Sequence, residues 1–115
     1  MRHFLLITFY LILEAASAQT IKGIPPAINK LLEKNTCLNC HRADQRIIGP
    51  SYLDIAKRNY TPTQIVSLIY KPVPEHWPEY PQMAPMTFVP KAEAKKIALW
   101  IASLNKPKPT AKRKA

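Results

Sequence analysis

Glycine is nearly absent from this 115-residue chain, two residues against twelve prolines, and no collagen-like period runs through it. Acidic residues are sparse as well: seven stand against 17 lysines and arginines, for a formal net charge of +10. No apolar run approaches the roughly 20 residues that a membrane-spanning helix needs. The length excludes a large parallel sheet or a barrel and allows one domain. What is present, 47% hydrophobic and 21% charged residues, describes a chain that folds rather than a disordered one. A core of this size is marginal and gains from a staple or a cofactor. The positive charge favours acidic partners.

Residues 1–18 have the layout of a secretory signal peptide. Arg2 and His3 open it, the apolar stretch Phe4–Leu13 follows, and Ala16-Ser17-Ala18 supplies the small-x-small cleavage pattern. That stretch is too short to serve comfortably as a retained membrane anchor. The mature chain is expected to begin at residue 19, to keep its net charge of +10, and to be exported to the periplasm. Such a compartment is oxidising, and two cysteines there would ordinarily pair.

The spacing of the two cysteines points elsewhere. Cys37-Leu38-Asn39-Cys40-His41 is C-x-x-C-H, the attachment signature of c-type haem. Two thiols at this spacing add across the two porphyrin vinyl groups, and the following imidazole becomes the proximal iron ligand. Three other readings compete. A structural disulfide would close a very small ring, more typical of redox-active bridges. A thioredoxin-like site would need a strand before Cys37, and no strand pattern is there. Zinc would need a fourth ligand, for which only the distant His76 remains.

Helical signals fill most of the remaining chain. Pro25-Pro26 opens a helix that places Ile28, Leu31 and Leu32 on one face. Ser51 and Asp54 form a capping-box-like pair ahead of Tyr52, Ile55 and Ala56. Thr61-Pro62-Thr63-Gln64 repeats that start, Ile65, Leu68 and Ile69 supply the buried side, and Pro72 forces a stop by Lys71. A last helix from about Lys91 carries Ala94, Ile97, Ala98, Ile101 and Leu104 at core spacing. Between them, residues 72–90 hold six prolines, too many for helix or central strand. Trp77, Tyr80, Met83, Met86 and Phe88 make this stretch too apolar for a linker, so it is expected to be an ordered wall stiffened by proline.

Together these segments resemble the small bacterial class I monohaem cytochromes c over nearly all of residues 24–104. The CLNCH motif, the stretch Ile48-Gly49-Pro50-Ser51-Tyr52-Leu53-Asp54-Ile55-Ala56, the loop Trp77–Met86 and the final helix Ala94–Leu104 carry the likeness. The resemblance implies an all-α fold of four to five short helices wrapped around one covalently bound haem c, over residues 19–105. It implies His41 and a methionine as axial iron ligands. In such proteins a methionine followed by proline precedes the tryptophan of the last helix at a nearly fixed distance. Met83, with Pro85 after it and 17 positions before Trp100, fits that pattern best, although Ala84 replaces the commoner proline. Met86 and His76 are the rival ligands. The same likeness casts the Pro50 carbonyl as acceptor of the His41 Nδ1 proton and Trp77 as donor to a haem propionate. Tyr52 and Tyr80 are further pocket candidates, and Trp100 is expected to pack where the first and last helices cross.

The implied function is one-electron transfer between redox partners, not catalysis, by a monomer without nucleic-acid partners. Lys106, Lys108, Lys112, Arg113 and Lys114 give residues 106–115 the character of a basic, disordered tail. Residues 19–105 alone retain a net +5, a field suited to acidic redox proteins or to peripheral contact with an anionic membrane. Two further roles remain open: the electron-entry subunit of a particular oxidoreductase, and a gas sensor with an open sixth iron position.

Overall fold

The computed structural model describes residues 23–106. The expected signal peptide and almost all of the basic tail lie outside the described residues. Four α-helices follow in order: α1 (Pro26–Lys34), α2 (Tyr52–Lys57), α3 (Pro62–Tyr70) and α4 (Lys91–Ser103). Single 3₁₀ turns stand at Cys37–Asn39 and Pro74–His76, and no strand occurs among the described residues. The all-α expectation holds. The proline-rich stretch is less irregular than expected, because Pro74 sits at the start of its turn, where a missing amide costs nothing.

The first three helices each carry a start signal in their own sequence. Pro25 and Pro26 fix the entry to α1 with φ already helical. Ser51 Oγ accepts from the Asp54 amide at 3.1 Å, but the Asp54 carboxylate turns to Lys57 instead of reaching back, so this is half a capping box. At α3 the box is complete: Thr61 Oγ1 accepts from Gln64 N–H at 3.2 Å, and Gln64 Oε1 accepts from Thr61 N–H at 2.9 Å. Residues 42 and 43 supply carbonyls for the first amides of α2, Tyr52 to Arg42 at 2.9 Å and Leu53 to Ala43 at 3.1 Å. This ties the segment after the C-x-x-C-H motif to α2 by backbone alone.

Helix α4 is the hub, packing against α1, α2 and α3. Its Ala94, Ile97, Ala98, Trp100 and Ile101 are buried with Leu32 of α1, Tyr52 and Ala56 of α2 and Ile65 of α3. Full burial of a side chain such as Leu32 contributes about 1.5–3 kcal/mol. Trp100 meets Tyr52 of α2 edge to face, centroids 5.1 Å apart, so its main aromatic partner lies in α2 rather than at the α1–α4 crossing. That crossing is held by Glu93, which accepts from Lys34 Nζ and, at 3.1 Å, from Asn35 Nδ2. Leu68 and Ile69 are half-buried, because both line a cavity, although Ile69 also packs against the core.

Candidate functional site

The motif is folded as one tight turn. The Cys37 carbonyl accepts from the Cys40 amide at 3.2 Å and the His41 amide at 3.0 Å, so residues 37, 40 and 41 share one side of the turn. Thr36, with φ of 62°, reverses the chain out of α1 just before it. Both thiols are unpaired, which leaves the disulfide reading without its bond. Burial pushes the Cys37 thiol above its ordinary pKa, and nearby Cys40 adds to the rise against an opposing backbone hydrogen bond.

His41 is fixed from two directions. Its Nδ1 lies 2.7 Å from the Pro50 carbonyl, where an Nδ1–H donates and leaves Nε2 with a free lone pair. Burial lowers the imidazole pKa and so favours the neutral ring, with the hydrogen bond to Pro50 offsetting part of that shift. The second constraint is Gly49, whose amide donates to the Cys40 carbonyl at 2.7 Å. A Cβ at this position would lie 2.8 Å from His41 Cε1, so only glycine lets the backbone approach the ring. The sequence offered one sign of this contact, a rare glycine directly before Pro50.

A cavity of about 410 Å³ opens beside the ring, within the size range of cofactor sites. Cys37, Cys40, His41, Pro50, Trp77 and Met83 all line it, although they come from two stretches, residues 37–50 and 77–83, that are distant in the chain. His76, Tyr80 and Met86 line it too, as does Tyr52. The two methionines differ in backbone support: Met86 N–H donates to the Ile69 carbonyl at 3.0 Å, joining the loop to the end of α3. The Tyr52 hydroxyl is buried without a hydrogen-bond partner, 5.4 Å separating its ring centroid from that of His41. Burial, then the two cysteines, hold this phenol well above its usual pKa and therefore neutral. Trp100 does not reach the cavity.

This donor set fits a covalently held haem. Two free thiols and a neutral, oriented imidazole share one mostly apolar cavity that also offers thioether sulfur. A zinc site fits poorly: among the described residues no group of three or more His, Cys, Asp or Glu side chains could hold a metal ion. No described helix is long and apolar enough to cross a membrane.

Sequence reasoning missed the contacts that close the cavity's rim. Arg58 lies over the Trp77 ring, Arg46 lies over Tyr80, and Tyr60 stacks on His76. No local pattern announces them, because each joins residues that are far apart in the chain.

Known proteins bear on the same reading. The chain is 33% identical over 95 residues to cytochrome c-552 of Nitrosomonas europaea, covering 79% of this chain and 91% of that protein. It is 32% identical over 89 residues to cytochrome c-552 of Hydrogenobacter thermophilus, covering 74% and 89%. Cytochrome c-551 of Allochromatium vinosum is 29% identical over 94 residues, covering 78% and 99%. No family model and no solved structure matches the chain. With the motif, the helical fold and these relatives in agreement, the chain belongs to the small class I c-type cytochromes, electron carriers whose cofactor is covalently attached haem c.

Proposed function

We propose that the chain is a periplasmic shuttle that carries one electron at a time, with haem joined to Cys37 and Cys40 and its iron held by His41 and Met83. Haem c, when bound, supplies the ferrous–ferric couple. The observation that supports this most directly is the 2.7 Å contact of His41 Nδ1 with the Pro50 carbonyl, inside a cavity shared with both motif thiols and both loop methionines. Donation to Pro50 fixes the tautomer and strengthens the ring as a donor. Met83 would add a soft sulfur that favours the reduced state. Met86, with its backbone committed to α3, would pack against the macrocycle. Trp77 is cast as a donor to a haem carboxylate.

No catalytic role is proposed. The excess of lysine and arginine supports docking to acidic redox partners by a monomer, a field that chiefly accelerates encounter and weakens with salt. Export rests on the layout of residues 1–18 and argues against nucleic acid as a partner.

Two measurements test this reading. Haem stain should persist through denaturing electrophoresis and be lost in the Cys37→Ala, Cys40→Ala double variant; stain that survives in that variant refutes thioether attachment. Met83→Ala should abolish the red charge-transfer band of methionine-bound ferric haem, open the iron to cyanide and lower the reduction potential. Loss of the band in Met86→Ala instead would transfer the role to Met86.

A further inference from the structure

Residues 77–85 owe little of their position to the backbone. From Trp77 to Val89 the described amides make one backbone hydrogen bond outside residues 72–90, Met86 N–H to the Ile69 carbonyl. The preceding stretch is gripped by side chains from a single segment, residues 46–60. The Cζ of Arg58, at the end of α2, lies 4.1 Å from the Trp77 ring centroid. Arg46 sets its Cζ 3.9 Å from the Tyr80 centroid, and its Nη2 donates to the Glu79 carbonyl at 2.9 Å. Tyr60 stacks on His76 with centroids 5.7 Å apart and planes 22° apart, its hydroxyl 3.1 Å from Nδ1. Trp77 and Tyr80 meet edge to face at 5.6 Å, so guanidinium, indole, phenol and guanidinium form one continuous chain of contacts. His76, Trp77 and Tyr80 line the cavity, whereas Arg46, Arg58 and Tyr60 do not.

We propose that Arg46, Arg58 and Tyr60 form a clasp that holds residues 76–80 over the cavity and thereby sets how readily the Met83 sulfur leaves the iron. The proposal rests on the axial assignment made above. Met83 lies three residues beyond Tyr80, so the freedom of its backbone depends on whether the clasp is closed. The population of an open loop is set by the contacts that exist only when it is closed, and here those contacts are the three stacks. Guanidinium suits the task because it is weakly hydrated and lies flat on an aromatic face. The two arginines are therefore positioning residues: they touch the rings of the wall and leave the sulfur to the loop.

Imidazole binding to the ferric holoprotein reads the open state, because an added ligand binds the iron in proportion to the fraction of molecules whose own sulfur has left. The measurement belongs well below the unfolding midpoint, where global unfolding adds no measurable open fraction. Arg46→Ala and Arg58→Ala should each tighten imidazole binding about two- to fivefold, and the double variant by about five- to thirtyfold. Lys95→Ala, which removes the same charge from an exposed position on α4, should leave binding unchanged. Binding in the double variant equal to that of the parent overturns the clasp. A response of Lys95→Ala as large as that of the arginines also overturns it, since net charge alone would then be the cause. A parent protein without the methionine–iron band overturns the axial assignment and the proposal with it. A parent that has the band, with a double variant that does not respond, overturns the clasp alone.

Discussion

The helical shell and the loop of residues 72–90 are held by different forces. In the shell, helical hydrogen bonds satisfy most of the backbone, and α1, α2 and α3 each bury a face against α4. In the loop, six prolines remove amides that could have been paired, and what remains is fixed by rings, guanidinium groups and a few anchors. Proline lowers the entropy lost when such a segment is ordered, so few contacts suffice. The shell therefore governs whether the chain is folded, and the loop governs what the cavity does once it is. Damage to one region should be separable from damage to the other.

The largest effect expected on the shell is that of Leu32→Ala, which empties a fully buried position beneath α4. It should cost about 2–5 kcal/mol of folding free energy, read from the denaturant midpoint. The methionine–iron band should survive at temperatures where the variant is folded; loss of the band in the folded variant would break the separation. Tyr70→Phe lies on the border between the regions, because Tyr70 of α3 donates its hydroxyl proton to the Val89 carbonyl at 2.5 Å. Removing that proton should cost about 0.5–1.5 kcal/mol, measured in the same way.

Acid should act on the shell through Glu93. Hydrogen bonds from Lys34 and Asn35 hold its carboxyl below the ordinary value, so the folded state binds its proton less readily than the unfolded one. The stabilisation is complete above the ordinary carboxylate pKa and is lost as pH falls through the lowered folded value. The parent should thus be more stable than Glu93→Gln at neutral pH, with the gap closing in acid; a gap constant across that range would exclude the ion pair as its source. The smallest effect belongs to Tyr52→Phe. Its hydroxyl is buried without a partner, so removing it should leave stability unchanged or slightly raised. A clear loss of stability would show that the hydroxyl is hydrogen-bonded in the holoprotein.

Short-range rules account for what was legible in the sequence. Proline and threonine starts placed α1 and α3, apolar spacing placed α4, and C-x-x-C-H placed the motif turn beside a cavity. Spacing also put Leu68 and Ile69 on the buried side of α3 with Ile65, but could not tell that this side is shared between core and cavity, because periodicity identifies an apolar face without saying what covers it. The half-formed cap at Ser51 shows a related limit: Asp54 had a second choice in Lys57, three residues on. Arg46, Arg58, Tyr60 and the Asn35–Glu93 pair were illegible for a different reason. Their partners are brought near only by the finished fold, and an arginine bound for an indole face looks the same in sequence as one bound for solvent.

The scarcity of glycine has a consequence for how this chain tolerates change. Gly23 has φ of +98° and open space where a side-chain carbon would stand, so a replacement there meets backbone strain but no clash. At Gly49 the obstacle is the imidazole itself, and a single added methyl would have to displace the ring that the Pro50 carbonyl aligns. In a library of all single substitutions, position 23 should therefore be the more tolerant of the two, its replacements meeting strain alone, and position 49 should accept none but its own, with even alanine rejected. The one-carbon difference between glycine and alanine at residue 49 is then a mutational barrier as strict as the loss of a motif cysteine.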